Sequence, residues 1–181
     1  MLKHVDHFHG SDLEKIEKVY GIRKEDITSF SANVNPLGIS PKMRATLIDR
    51  IDAITSYPDR DYTDLRKQIG AYVHAPYENI LVGNGSTELI SLFIQIEHPK
   101  KALILGPTYS EYEREISLGG GTSLYYPLKE ENNFVLDVDD FRSQLNESID
   151  LLVICNPNNP TSSAISQRTM RVILDECKRY D

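Results

Sequence analysis

Residues 83–93, GNGSTELISLF, follow the apolar run Asn79-Ile80-Leu81-Val82 and open a stretch that is nearly all apolar. Three small residues, Gly83, Gly85 and Ser86, stand where a strand would hand over to a helix. A helix N-terminus presents unpaired backbone N–H groups and a partial positive charge, so it attracts phosphate. Glycines let the backbone approach an anion closely, and Ser86 and Thr87 add hydroxyl donors. The same residues also suit a tight turn in which Ser86 or Thr87 caps the helix. On this stretch alone the two readings weigh evenly. A dinucleotide fingerprint is disfavoured, because Glu88 holds the third glycine position and an acid there would face a pyrophosphate. A Walker loop is excluded, since no Gly-Lys-Ser/Thr follows.

Outward from this point the chain alternates short apolar runs with helical patterns, which is the signature of an α/β fold. Downstream, 87–96 is apolar almost all round and reads as a buried helix. Strands are expected at 79–82, 101–106, 122–128 and 150–155. Helices are expected after Pro107-Thr108-Tyr109, ending at Gly119, and after Ser166, with Met170, Ile173, Leu174 and Cys177 on one side. The stretch 133–145 reads as an edge piece followed by a short helix. Upstream, Ser11 with Glu14 suggests a capping box and Gly21 a stop. Ser40 caps the next helix with Pro41 at its first position, and Met43, Leu47 and Ile51 repeat every fourth residue. A third helix sets Leu65, Ile69 and Tyr72 on one face and stops at Pro76. Strands joined by helices run mostly parallel with right-handed crossovers, and ligands bind at their carboxyl ends. Those exits read GNGST, GPTY, PLKE and NPNNPT.

The chain has 181 residues, enough for a sizeable core, and its 20 basic against 27 acidic residues leave a formal charge of −7. An acidic chain without a Lys/Arg cluster argues against nucleic acid and against an anionic membrane surface as partners. Any phosphate it binds is expected on a small molecule. Two well-separated cysteines, Cys155 and Cys177, fit a reduced compartment better than a disulfide framework. The polar N-terminus lacks a signal peptide's apolar segment, and no apolar run spans a bilayer, so the expectation is a soluble cytoplasmic protein. His4, His7 and His9 lack the spacing of a helical zinc pair, and no metal site is expected. No Ser-His-Asp or Cys-His arrangement is legible.

The remaining exits carry usable groups. Asn156-Pro157-Asn158-Asn159-Pro160-Thr161 holds two Asn-Pro pairs that stiffen the backbone and offer amides at a strand end. An aromatic at Tyr109 could stack on a flat heterocycle or pack the neck of the following helix. The loop 30–38, with Asn33 and Asn35 beside Pro36 and Gly38, and the segment Tyr57 to Tyr62 are polar and stiff. Each alone is more often structural than functional.

Taken in order, the Asn-Pro-Leu-Gly loop, the Tyr-Pro segment, the Gly-Ser-Thr cup, the Pro-Thr-Tyr turn and Asn-Pro-Asn-Asn-Pro-Thr resemble the N-terminal part of the fold-type I, class I/II aminotransferases that use pyridoxal 5'-phosphate. Within that superfamily, Phe30 to Gly38, Tyr57 to Tyr62 and Gly83 to Glu88, with His9-Gly10, are most similar to the L-threonine-O-3-phosphate decarboxylases of cobalamin biosynthesis and their sisters, the histidinol-phosphate aminotransferases. The resemblance implies that Gly85, Ser86 and Thr87 hold the cofactor phosphate. It implies that Tyr109 stacks on the pyridine ring and Asn159 hydrogen-bonds the phenolic oxygen. Tyr57 would reach the phosphate of a partner subunit, which implies a homodimer. Asn35, Ser31 and His9 would border a phosphorylated amino substrate. Two positions depart from the family pattern: Ser162 stands where the family has Gly after Asn-Pro-Thr, and Ser11 where the decarboxylases have a second Gly.

In the superfamily the aspartate that pairs with the pyridine nitrogen, the Schiff-base lysine and the carboxylate-binding arginine come after the position of Asp181, so no catalytic residue is expected within this chain. Residues 1–40 are expected to form an N-terminal arm and substrate-side loop, and 41–181 part of the large cofactor domain of a longer enzyme. On that reading the 181-residue chain alone is inactive. A reading of another class is a non-catalytic α/β module that uses Gly83 to Thr87 for some other phosphate.

Overall fold

The computed structural model describes residues 12–30 and 34–180. They fall into two compact units, divided after Arg60.

In the first unit, α1 (Leu13–Tyr20) starts on Asp12, whose side chain accepts the Lys15 N–H at 3.2 Å. The cap is therefore Asp12 rather than Ser11, which lies outside the described residues. The helix ends on Gly21 at φ 68°, a left-handed position that suits glycine. Helix α2 (Pro41–Asp49) begins with Ser40 Oγ accepting the Met43 N–H, and Pro41 sits in its first turn as the sequence implies.

In the second unit, α3 (Thr63–Val73) closes on His74 in a left-handed conformation, two residues before Pro76. Gly70 is fixed by crowding, because a Cβ there would lie 2.7 Å from the Ala75 carbonyl oxygen. Then come α4 (Ser86–Glu97), β1 (Lys101–Gly106), α5 (Glu111–Leu118), β2 (Thr122–Pro127), α6 (Val138–Arg142), β3 (Leu151–Val153) and α7 (Gln167–Cys177). Ser166 caps α7 by accepting the Thr169 N–H. The three strands form one parallel sheet in the order β2-β1-β3. Leu103 pairs with Leu124 on one side and Leu152 on the other.

Side chains alternate across β1 and build two cores. Ala102 and Ile104 pack with Ile94 of α4 and Ile116 of α5. Leu103 and Leu105 pack on the opposite face with Phe141, Leu145 and Ile173. The sheet thus carries α4 and α5 on one side and α6 and α7 on the other. On the second face Glu176, 5% exposed, ties the helices by accepting from Arg142 Nε and Nη2 and from Arg179 Nη1. At the amino end of the sheet, Asp150 accepts the Lys100 and Lys101 N–H groups at 2.7 and 2.9 Å.

Three expectations are corrected. Residues 79–82 are not a strand: Ile80 is extended (φ −101°, ψ 122°) but no ladder forms. An apolar run becomes a strand only beside a neighbour that takes its backbone bonds. Here Arg66 Nε takes one of them, donating to the Ile80 carbonyl, while its other nitrogens reach the carbonyls of Asp61 and Glu78 outside the run. Helix α4 is not buried all round, because only Ile94 is fully covered while Phe93 and Ile96 are 57% and 71% exposed. One apolar face meets the sheet, and no described residue covers the other. Residues 134–136 form no edge strand. A short 3-10 turn, Glu130–Asn132, leads into left-handed Asn133 and Phe134, which break any extended run.

Candidate functional site

The exits of parallel strands share one end of a sheet, and the path of α4 brings a further loop to that end. Helix α4 lies against β1 through Ile90 and Ile94 and joins it by a three-residue connection, so the two run in opposite directions. Twelve helical residues rise about 18 Å and six strand residues about 20 Å, so the two spans match. The N-terminus of α4 therefore lies at the carboxyl end of β1.

Gly85 is the N-cap of α4, with φ 83° and ψ 174°, and no side chain caps the helix. Capping by Ser86 or Thr87 does not form; both lie within the first turn. Gly85 is required by its backbone angle, since nothing lies within 4 Å of where a Cβ would sit. Gly83 is crowded: a Cβ there would meet Glu88 Oε2 at 2.8 Å and Leu89 Cδ2 at 3.0 Å, so a larger residue has to move the Glu88 carboxylate that accepts the Asn84 N–H. The Glu88 carboxylate turns back under the loop and accepts the Asn84 N–H. One carboxylate oxygen is thus engaged by the backbone, and the first-turn N–H groups of α4 stand beside an open, glycine-lined approach.

Two further exits are bolted together. Asn158, 7% exposed, accepts from Thr108 Oγ1 at 2.8 Å and donates from Nδ2 to the Pro107 carbonyl at 2.9 Å and to Thr161 Oγ1 at 2.8 Å. The loop closes on itself through Asn158 N–H to Ser163 O and Ser162 N–H to Asn158 O, both 2.8 Å. Asn156 Oδ1 anchors the far side by accepting the Ile165 N–H. The Gly106–Pro107, Asn156–Pro157 and Asn159–Pro160 bonds are all cis. Ser162 stands at φ 61°, a left-handed angle, which explains why a glycine suits the position in the family pattern.

Tyr109 is half-buried, and its ring meets that of Tyr112 edge-on, with centroids 5.8 Å apart and planes at 88°. Burial, with the Cys155 thiol as a hydrogen-bonding neighbour, pushes the Tyr112 phenol up to about 12. On β2, burial and then a bond to Glu113 raise Tyr125 to about 12 as well. Asn159, in contrast to Asn158, is exposed, so its amide is free to meet a ligand.

The residues expected from sequence are therefore distributed unevenly. Gly85, Ser86, Thr87, Tyr109 and Asn159 all belong to the second unit, at the carboxyl end of its sheet. Tyr57 belongs to the first unit and is fully exposed. Asn35, in the same unit, uses its amide on its own turn, donating to Gly38 O and accepting the Leu37 N–H. Ser31 and His9 lie outside the described residues, as do His4 and His7. Among the described residues no cluster of His, Cys, Asp and Glu could hold a metal ion. No helix among them is long and apolar enough to cross a membrane. Asn158 and Thr108 escape sequence reading, and the bond of Glu88 to the Asn84 N–H is not legible there either. The motif shows two adjacent asparagines, and only the turn that closes over Ser162 and Ser163 decides which faces inward.

An uncapped glycine-rich helix start, an aromatic and an exposed amide thus share the carboxyl end of one parallel α/β sheet. Residues 25–181 match the family model of aminotransferase class I and II, and the chain belongs to that family. It is 34% identical over 170 residues to threonine-phosphate decarboxylase of Salmonella typhimurium, covering 94% of this chain and 46% of that protein. It is 29% identical over 170 residues to histidinol-phosphate aminotransferase of Methanocaldococcus jannaschii, covering 92% and 46%. Among solved structures, the histidinol-phosphate aminotransferase of Clostridium acetobutylicum superposes with a TM-score of 0.72 at 31% identity, over 84% of this chain and 44% of that one. The chain spans about half the length of the curated relatives it matches.

Proposed function

We propose that this chain supplies the phosphate cup and ring-binding loops of a pyridoxal 5'-phosphate enzyme acting on a phosphorylated amino compound. Removal of CO2 from threonine phosphate is the leading reading. The observation that carries it is the meeting, at one end of one sheet, of an uncapped glycine-rich helix start, an aromatic ring and an exposed amide. Those groups fit the cofactor's own: a dianionic phosphate, a flat pyridine ring and a phenolic oxygen.

In this reading the N–H groups of the first turn of α4, with the Ser86 and Thr87 hydroxyls, bind the phosphate. Gly85 lets it approach, and the bond from the Asn84 N–H holds the Glu88 carboxylate on the loop. The Tyr109 ring covers one face of the pyridine, and the Asn159 amide donates to the phenolic oxygen. Bound there, the cofactor acts as an electron sink for the bond cleaved at the substrate's α-carbon. Tyr57, on an exposed segment of the first unit, reaches the phosphate held by the partner subunit of a homodimer. Asn35, Ser31 and His9 border the substrate. The arm-and-loop role falls to residues 1–40 and the cofactor role to residues 41–181. A cytoplasmic location accords with Cys155 and Cys177 standing outside any disulfide.

The decarboxylase reading draws on the similarity to the Salmonella protein and on the Asn33-Val34-Asn35-Pro36 form of the second motif. Transamination of histidinol phosphate is the second reading, favoured by the superposition on the Clostridium structure. Equilibrium dialysis against pyridoxal 5'-phosphate and against ATP tests the cup. Tighter retention of pyridoxal 5'-phosphate supports the reading, and preference for ATP overturns it in favour of a phosphate module. With the intact enzyme, CO2 release from threonine phosphate without a keto-acid acceptor marks the decarboxylase. Amino-group transfer that depends on such an acceptor marks the aminotransferase.

A further inference from the structure

Asn158 and Asn159 are neighbours in the chain with opposite surroundings. The first is 7% exposed and the second exposed. Both Nδ2 hydrogens of Asn158 are spent, on Pro107 O and Thr161 Oγ1, and its Oδ1 accepts from Thr108. Two of those partners, Pro107 and Thr108, immediately precede Tyr109. One buried amide thus fixes the backbone directly before the stacking ring and directly before the exposed amide, across fifty residues of sequence.

We propose that Asn158 is a positioning residue, a latch that sets the separation between the Tyr109 ring and the Asn159 amide and so tunes the cofactor held between them. The inference rests on the pyridoxal phosphate reading. The amide is matched to its surroundings. An aspartate would set a second acceptor against the Pro107 carbonyl and lose both donors, and an alanine would leave the Thr108 hydroxyl and the Pro107 carbonyl unanswered, Thr161 Oγ1 keeping Ser163. In a water-poor pocket such bonds hold geometry tightly, and sub-ångström drift in a binding group weakens what it binds.

The test compares Asn158→Ala with Thr108→Val, which is nearly isosteric and deletes one bond, and with Asn159→Ala as the direct lesion. The first readout needs no cofactor. In a Cys177→Ala background, the rate at which Cys155 reacts with an aromatic disulfide reports the order of the loop, since Cys155 Sγ lies 3.5 Å from Pro157 O. The second is made on the intact holo-protein: the dissociation constant for pyridoxal 5'-phosphate and the pH midpoint of the bound cofactor's visible band. A donated hydrogen bond favours the deprotonated phenolic oxygen, so losing it moves that midpoint to higher pH. Asn158→Ala is expected to weaken cofactor binding roughly tenfold and to move the midpoint in the same direction as Asn159→Ala. Thr108→Val should move both by less and should speed thiol reaction. Thermal unfolding controls for stability, which a purely structural role would lower without touching the midpoint. Unchanged midpoints in Asn158→Ala and Thr108→Val, beside a shift in Asn159→Ala, overturn the proposal; if Asn158→Ala does not fold, Thr108→Val alone decides. No shift in Asn159→Ala overturns it together with the role given to Asn159. Failure of the unaltered protein to bind pyridoxal 5'-phosphate overturns the underlying reading instead.

Discussion

Gly106 closes β1 just before the Pro107-Thr108-Tyr109 turn, and the structure leaves no room for a methyl group there. A Cβ on Gly106 would lie 2.7 Å from Tyr125 Cδ1 and 3.2 Å from Cε1. The ring is held in place, because its hydroxyl donates to Glu113 Oε2 at 2.9 Å. Gly106→Ala must therefore displace the ring. Overpacking of this kind costs about 1–3 kcal/mol. Loss of the exposed Tyr125–Glu113 bond adds up to about 1 kcal/mol, discounted because Tyr125 is 47% exposed. Replacing a glycine returns about 0.5–1 kcal/mol by restricting the unfolded chain. The net expectation is a loss of about 1–2 kcal/mol, which urea unfolding reads directly. The decisive experiment is a double-mutant cycle with Tyr125→Ala. Without the ring, Gly106→Ala should be neutral or stabilising, giving a coupling of about 2 kcal/mol. Alkaline absorbance titration adds a second reading, since one phenol ionising at about 12 should move down when Tyr125 leaves its pocket. If Gly106→Ala costs the same with and without the Tyr125 ring, steric exclusion is not why position 106 is a glycine.

Other perturbations have equally definite outcomes. Phe141, fully buried between α6 and the sheet, should lose about 3–5 kcal/mol on replacement by Ala, measured by denaturant unfolding. Ser123 Oγ on β2 is buried without a hydrogen-bond partner, so Ser123→Ala should raise stability by roughly 1 kcal/mol and lift the unfolding midpoint. The backbone N–H groups of Lys101 and Lys100 hold Asp150 below its ordinary value of 3.8. Its ionised form is favoured in the folded state, so its contribution is present above about 4 and is lost as pH falls through the folded value. Asp150→Asn should flatten that acid limb in unfolding curves taken between about pH 5 and about pH 2, the range in which carboxylates titrate.

Much of this architecture can be read from local chemistry. Ser40 with Pro41, Ser166 and Gly21 mark helix ends where they occur, because capping depends on a few adjacent residues. The strands β1, β2 and β3 follow from short apolar runs between turn residues. The misread places depend on what lies elsewhere. Residues 79–82 carry a strand's composition, but pairing belongs to two segments and cannot be seen in one. The exposed face of α4 has the same origin, since an all-apolar helix states that it is to be covered without naming the cover. In the site, the glycine cup was legible as a motif, though Gly85 and Gly83 prove to be glycines for different reasons. Asn158 was hidden because burial of one asparagine out of two is decided by a turn through left-handed Ser162.

The Asp150 clamp at the amino end of the sheet and the Asn158 latch at the carboxyl end have a consequence for the order of folding. Each bridges 49 to 51 residues, whereas Lys101 meets its β2 partner Thr122 after only 21. Closing the longer span costs roughly 0.7 kcal/mol more in chain entropy. The β1–β2 pairing is therefore the cheaper first event, and β3 joins from the far side of a long excursion. Both tethers grip the late strand at opposite ends, so substitutions at Asp150 and Asn158 should speed unfolding far more than they slow folding, whereas a lesion in the β1–β2 pairing should slow folding.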